Sequence, residues 1–347
     1  MYDALVIGLG ATGLAVARAL GRRGLRVAGC DKRPWEVAAR SRYVERVPPD
    51  AASLAELPGS PAVFTAGDPE LAWAIKNLHN ISGLRVPGSY TDGSALAALD
   101  KRVQYERCLA LGVPMPRTWI NEPAERIGSQ ANFPVLVKPA MGGAGVRIGP
   151  SKLEVCQTAK DLAHLAESVD FREVVTQEWI EGADDQLAVC ILNRRQNGDF
   201  GPVVTAQKER QWPKRVGSGA RVVTTDDDTV RKASIELVER LGLGGICAVE
   251  WKRSNDRLVF IEVNPRPVLW GALADSVFID SWADLTGRRP PVPVATGPTR
   301  WRYWLRDPAV PNRDERLALE AWDDPAPGLY GPAYSAALWL ARKTGRR

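Results

Sequence analysis

The sequence predicts two fold classes in series, an α/β amino-terminal unit followed by an α+β body, and three observations predict them. From Ala4 to Gly8 an apolar run meets the glycine-rich turn GLGATG, continues into LAVARALGRRG with apolar residues at helical spacing, and returns as LRVAGC ending at Asp31. That is the pattern of a βαβ unit. Farther along, PVLVKP, EVVTQEWI, LAVCIL, GICAVEWKR and RLVFIEVNP read as strands interspersed with helical stretches. Finally, the 347 residues, 45% apolar and 25% charged, have the composition of an ordinary globular protein with room for two or three domains.

In chain order, PAVFTAG and the helical LAWAIKNL extend the first unit to about Pro87. DKRVQYERCLALGVPMPRT reads as a helix ended by Gly112 and two prolines, and PVLVKP then leads into the glycine loop MGGAGVRIG. A helix is predicted from about Leu153 to Glu167, and another over Asp226 to Leu241, opened by N-capping acids. Ser254, Asn255 and Asp256 join the last two strands as a turn. TGRRPPVPVATGP reads as a linker into a tail of uncertain structure, whose end, AALWLARKTGRR, suggests a surface helix with frayed basic residues ahead of the alternative, an amphipathic basic segment that touches a membrane or partner.

A formal charge of +5, spread along the chain, gives no support for nucleic-acid binding beyond a mild bias towards anionic ligands. Five widely separated cysteines without CxxC spacing predict buried reduced thiols, neither a disulfide framework nor a zinc cluster. Only His79 and His164 are present, which disfavours a histidine metal site. No basic n-region opens the chain, and no stretch approaches the ~20 apolar residues of a membrane span, so a cytoplasmic protein is expected.

The strongest chemical signal lies in the last two strands. Glu262 and Asn264 are two residues apart and share one face of a strand. With a three-residue turn, Glu250 falls on that same face, opposite position 260 and diagonal to Glu262 at about 7 Å between backbones. Two carboxylates and an amide oxygen then converge as hard donors of the kind that suit Mg²⁺. A single such carboxylate could instead pair with Arg253 or Arg266. Lys138 ends the strand VLVK, and Gly142, Gly143 and Gly145 leave backbone N–H groups free to approach phosphate, although no GKS or GKT marks a Walker loop. At the amino terminus, Gly8, Gly10 and Gly13 with Asp31 fit a dinucleotide fingerprint, or equally glycines that let turn and helix pack closely on the sheet.

The motifs Asp100-Lys101, LVKP, MGGAG, QEWIEG, AVEWK and FIEVNPRP resemble the ATP-grasp superfamily in order and approximate spacing over about Asp100 to Gly271. GLGATGLAVARALGRRG and SRYVERV are similar to its carbamoyl-phosphate synthetase-like carboxylate-amine ligases. The resemblance implies a Rossmann-like preATP-grasp domain (1–98), a small ATP-grasp lobe with hinge (99–180), a large lobe with the metal site (181–285), and a linker and tail (286–347). It implies ATP with Mg²⁺, Mn²⁺ being admissible. Lys101 and Lys138 would contact the phosphates under the Gly142–Gly145 loop, and Glu178 and Ile180 would present hinge backbone to adenine. Asp184 or Asp185 would bind ribose, Glu250, Glu262 and Asn264 would hold the metal, and Arg266 would steady the transferring phosphoryl group.

Such enzymes phosphorylate a carboxylate and pass the acyl group to an amine, so the expected partners are a small-molecule acid and an amine, with no nucleic acid. In the segment QKERQWPKRVGSGARVV, Gly217 and Gly219 suggest a flexible turn, and Lys208 and Arg215 are the candidates for binding the acid. A homodimer is the commonest assembly for a soluble enzyme. The alternative is a nicotinamide-dependent oxidoreductase using GLGATG.

Overall fold

In the computed structural model of this chain, which describes residues 1–78, 81–142, 148, 153–255, 257–291, 299–308 and 315–343, the opening apolar run is the centre of a parallel sheet. Strands β1 (Tyr2–Ile7), β2 (Val27–Cys30), β3 (Val44–Arg46) and β4 (Gly59–Thr65) lie in the order β3-β2-β1-β4. Parallel strands are covered on both faces, which is why ALVI carries no polar alternation; Ala4, Leu5 and Val6 are fully buried. The helix Ala11–Gly21 crosses over β1. A Cβ at Gly13 would collide with the carbonyl of Gly8, so this glycine serves close helix-to-strand packing.

The second sheet is antiparallel: β5 (Thr118–Ile120), β6 (Val135–Pro139), β7 (Glu154–Cys156) and β8 (Val174–Glu178), in the order β5-β8-β6-β7. The helix expected from Leu153 starts later, at Ala159–Ala166, because Glu154–Cys156 pairs with β6. Thr158 fixes the start through a capping box, its hydroxyl accepting from Asp161 N while the Asp161 carboxylate accepts from Thr158 N.

The third sheet holds β9 (Leu187–Arg194), β10 (Phe200–Trp212), β11 (Ser218–Thr225), β12 (Gly245–Ser254), β13 (Arg257–Asn264), β14 (Arg300–Arg302) and β15 (Glu315–Leu317). Its order is β13-β12-β9-β10-β11-β14-β15. The helix Asp228–Arg240 begins as predicted after the N-cap Asp227, whose carboxylate accepts from Val230 N. The segment read as a flexible turn is instead the β10–β11 ribbon. Gly217 is there for close approach, since a Cβ would strike the backbone of Trp212.

The stretch read as linker and tail also carries structure: β14 and β15 extend the large sheet, and a helix spans Ala326–Lys343. Its buried Tyr334 and half-buried Leu338 belong to the core that includes Leu14 and Val16. Between them, Asp323 and Asp324 dock on the first helix. Arg22 makes two 2.8 Å bonds to Asp323. Asp324, 1% exposed, accepts from Arg18 Nε at 2.9 Å, Ser41 Oγ at 2.8 Å and Arg42 N at 2.9 Å. All five cysteines are free and buried, and burial pushes the Cys30 thiol up to about 12. Among the described residues no helix is long and apolar enough to cross a membrane.

Candidate active site

The site grows from an irregularity in the β12–β13 hairpin. The expected three-residue turn is shorter, because Ser254 pairs with Arg257 across Asn255, which sits at φ 47, and residue 256, which lies outside the described residues. The ladder then runs regularly to Trp251 opposite Phe260, shifts by one residue, and resumes with Glu250 opposite Glu262. Ile261 is the extra residue of this bulge. An unbroken register would place Glu262 across from Val249, with Glu250 on the other face. The bulge therefore corrects the sequence reading in a specific way: the two carboxylates are direct cross-strand neighbours, not diagonal ones.

Strand β13 is a sheet edge, and the helix Lys101–Ala110 covers it. The Gln104 amide replaces a missing strand partner: Nε2 donates to Val263 O at 2.9 Å and Oε1 accepts from Val263 N at 3.0 Å. One residue on, the Tyr105 hydroxyl donates to Ile261 O at 2.6 Å. Asp100 caps the helix through Arg102 N, and so directs Lys101 at the carboxylates.

Two adjacent carboxylates in a half-buried place repel each other unless cations stand between them. Here Lys101 Nζ donates to Glu262 Oε2 at 2.8 Å and Lys208 Nζ to Glu250 Oε2 at 2.5 Å. Asn264 Nδ2 donates to Glu262 Oε1 at 3.1 Å. Burial alone would raise the Glu262 carboxyl, but Lys101 and then Lys138 overcome it and hold the group far below the usual carboxylate range. Burial would likewise lower the Lys101 ammonium, and Glu262 raises it instead. Among the described residues Lys138 has no carboxylate bonded to it. Its Nζ donates to the Tyr105 hydroxyl and lies 4.7 Å from the ring centre, and burial with the nearby Lys101 charge pushes it down to about 7.

Arg266 is held from three sides. Its Nε donates to Asp68 Oδ1 at 2.5 Å, Nη2 to Asn264 Oδ1 at 3.2 Å and Nη1 to Pro267 O at 3.0 Å. Asp68 escaped the sequence reading. Its available signal was position: TAGD follows the carboxyl end of β4, where open α/β sheets gather ligands. Asp68 also lies against the start of the glycine loop, since a Cβ at Gly142 would collide with its carboxylate. Gly143 and Gly145 lie outside the described residues.

At the segment expected to form the hinge, the residues are distributed differently from expectation. The Glu178 carboxylate accepts from Asn132 N and Nδ2, at 3.0 and 3.1 Å. Ile180 O and Gly182 O both accept from Lys252 Nζ, at 2.7 and 3.0 Å; Lys252 closes the AVEWK motif, which by itself assigns it no role. Both oxygens of Asp184 accept backbone N–H groups, from Gln211 at 2.9 Å and Arg215 at 3.0 Å, while Asp185 is exposed. Lys208, 2% exposed, is at the carboxylates, but Arg215 is not: its guanidinium stands 5.0 Å over the Trp179 ring and 3.4 Å from Glu181. The two candidates for the acid thus sit in different parts of the molecule, Lys208 beside Glu250 and Arg215 beside the hinge.

Around GLGATG the surroundings are acidic. A Cβ at Gly10 would meet Glu36 Oε2 at 3.3 Å, and one at Gly8 would meet the Glu70 side chain at 2.9 Å. Tyr334 donates to Glu36 at 2.8 Å, Arg33 bridges Glu36 at 3.0 Å, and Asp31 accepts from Leu9 N at 2.8 Å. Carboxylates and a tyrosine border the turn where a pyrophosphate would need open N–H groups. The geometry favours the packing role of these glycines over the dinucleotide one.

Three hard oxygen donors, two of them carboxylates, suit an ion that takes one or two carboxylates and completes its shell with water and phosphate oxygens, as Mg²⁺ does. Among the described residues no cluster of three or more His, Cys, Asp or Glu side chains is present. The second and third sheets frame an ATP-grasp fold, and residues 98–268 match the family model of the ATP-grasp domain.

Among known proteins, the chain is 28% identical over 206 residues to the carbamoyl phosphate synthase large chain of Thermoplasma acidophilum, covering 55% of this chain and 19% of that one. It thus spans about a fifth of that relative's length. It is 26% identical over 289 residues to the formate-dependent phosphoribosylglycinamide formyltransferase of Saccharolobus solfataricus, covering 76% and 69%. Its fold is similar to that of N5-carboxyaminoimidazole ribonucleotide synthetase from Thermus thermophilus, with a TM-score of 0.64, 18% identity and coverage of 85% and 81%. It is also similar to the biotin carboxylase domain of 2-oxoglutarate carboxylase from Hydrogenobacter thermophilus, solved with MgADP and bicarbonate, with a TM-score of 0.61, 14% identity and coverage of 83% and 70%.

Proposed function

We propose that the protein is an ATP-dependent ligase that activates a small carboxylic acid or amino acid as an acyl phosphate and joins it to an amine. The observation that carries this reading is the bulge-set pair Glu250 and Glu262 with Asn264, ringed by Lys101, Lys138, Lys208 and Arg266. Glu250, Glu262 and Asn264 would hold Mg²⁺, which supplies charge neutralisation on the phosphate oxygens. Lys101 and Lys138 neutralise the phosphates, and Arg266, fixed by Asp68, faces the phosphoryl group in transfer. Lys208 borders the acid. Of the two hinge acids, Asp185 is the one left for ribose.

In the reaction, a carboxylate oxygen attacks the γ-phosphorus and ADP leaves. The amine nitrogen then attacks the acyl carbon, phosphate leaves, and the amine loses a proton. No protein nucleophile is required, and positioning with charge stabilisation supplies the catalysis. A small acid is supported by the relatives' names, one formate-dependent and another solved with bicarbonate. The test is a screen of small acids and amino acids with amines for Mg²⁺-dependent ADP and phosphate release, read with product masses. Turnover of a nicotinamide cofactor without ADP release would overturn the reading.

Lys138 gives this proposal a pH signature. With its ordinary value of 10.5 lowered to about 7, the free site carries a neutral amine above pH 7 and must take up a proton to meet phosphate. Affinity for a non-hydrolysable ATP analogue should therefore be flat below that pH and weaken by up to about tenfold per unit above it. Lys138→Arg, always charged, should flatten the profile. Calorimetry from pH 6 to 9 checks both.

A further inference from the structure

The Tyr105 side chain is fully buried on the helix Lys101–Ala110, one turn beyond Lys101, and packs edge-on against Phe260 at 6.0 Å between ring centres. Among the described residues its hydroxyl bonds groups on two different sheets, with the Gln177 side chain also beside it. It donates to Ile261 O, the carbonyl of the residue that the bulge pushes out of the ladder, and it accepts from Lys138 Nζ at the end of β6. A bulge is retained where its freed backbone groups find partners, because an unpaired buried carbonyl costs about 1–3 kcal/mol. The opposition of Glu250 and Glu262 thus depends on the same hydroxyl that holds the phosphate-facing lysine.

We propose that Tyr105 is a positioning residue that sets the metal-facing carboxylates and Lys138 together, so that the subsites for the metal and for the phosphates form as one unit. This rests on the ATP-ligase reading above. Gln104 anchors Val263 independently, so loss of the hydroxyl loosens only the bulge and the lysine, not the whole edge strand. The consequence is confined to the phosphate end of the nucleotide: adenosine, which reaches neither the carboxylates nor Lys138, is indifferent to Tyr105.

The test is Tyr105→Phe, which keeps the ring and removes the hydroxyl. Calorimetric Kd values are compared for a non-hydrolysable ATP analogue with Mg²⁺ and for adenosine, alongside kcat and KM for ATP. The proposal predicts a Kd for the Mg²⁺ analogue weakened about tenfold or more, an adenosine Kd within about twofold of the parent, and a fall in kcat as well as a rise in KM. An analogue Kd within about twofold of the parent overturns it, and so does an equal loss for both ligands, which would mark a merely structural role. If the parent binds adenosine and the analogue but Tyr105→Phe behaves like it, only this inference falls. If the parent binds neither, the ATP reading falls and takes this inference with it.

Discussion

Replacing Glu262 with Gln is expected to lower ADP formation by on the order of 10³-fold or more, with the fold retained. The substitution keeps the side-chain length and one acceptor oxygen but removes a charge that several groups answer to. Lys101 donates to it at 2.8 Å, and Lys101 with Lys138 holds it ionised against the effect of burial. Gln offers a metal only a neutral oxygen and leaves the half-buried Lys101 ammonium with less anionic compensation. Because it also relieves the repulsion with Glu250, the variant should unfold within a few degrees of the parent. A parent-like rate in a coupled ADP assay would sink the assignment of Glu262 to the metal.

The second large effect concerns stability and lies far along the chain from the carboxylates. Asp324→Ala removes the only carboxylate bonded to the buried Arg18 among the described residues, together with the acceptors of Ser41 Oγ and Arg42 N. Leaving one member of a buried ion pair alone typically costs about 3–5 kcal/mol, because the remaining charge stays desolvated. Arg18 retains three carbonyls, Leu319 O at 2.7 Å, Asp324 O at 2.9 Å and Ala318 O at 3.5 Å, which places the expected loss towards the lower end of that range. Thermal unfolding should fall by several degrees while kcat per folded molecule is unchanged. An unaltered midpoint would show that the carboxyl-terminal segment is not part of what holds the first helix.

Local patterns in the sequence picked out residues of the candidate site, and distant contacts determine its geometry. Glu262 and Asn264 were legible because a strand repeats every two residues, and Lys138 because it closes an apolar run. The bulge at Ile261 was not, since what stabilises it is Tyr105, 156 residues away, and no local pattern in RLVFIEVNP announces an extra residue. Asp68 was hidden for the same reason, its partner Arg266 lying 198 residues on. Asp184 was legible as an acid near the hinge, but its two backbone donors belong to the β10–β11 ribbon, whose charged face concealed its strands. The strands β14 and β15, three residues each and rich in arginine and glutamate, carry no apolar alternation to betray them.

The central claim is that the bulged hairpin forms a metal-completed nucleotide site. Calorimetric titration of a non-hydrolysable ATP analogue into the parent and into Glu250→Gln, each with and without Mg²⁺, tests it most directly. The account predicts that Mg²⁺ strengthens binding to the parent by at least about tenfold and that Glu250→Gln loses most of that gain. Equal affinity with and without Mg²⁺, or a variant that keeps the full gain, would contradict it.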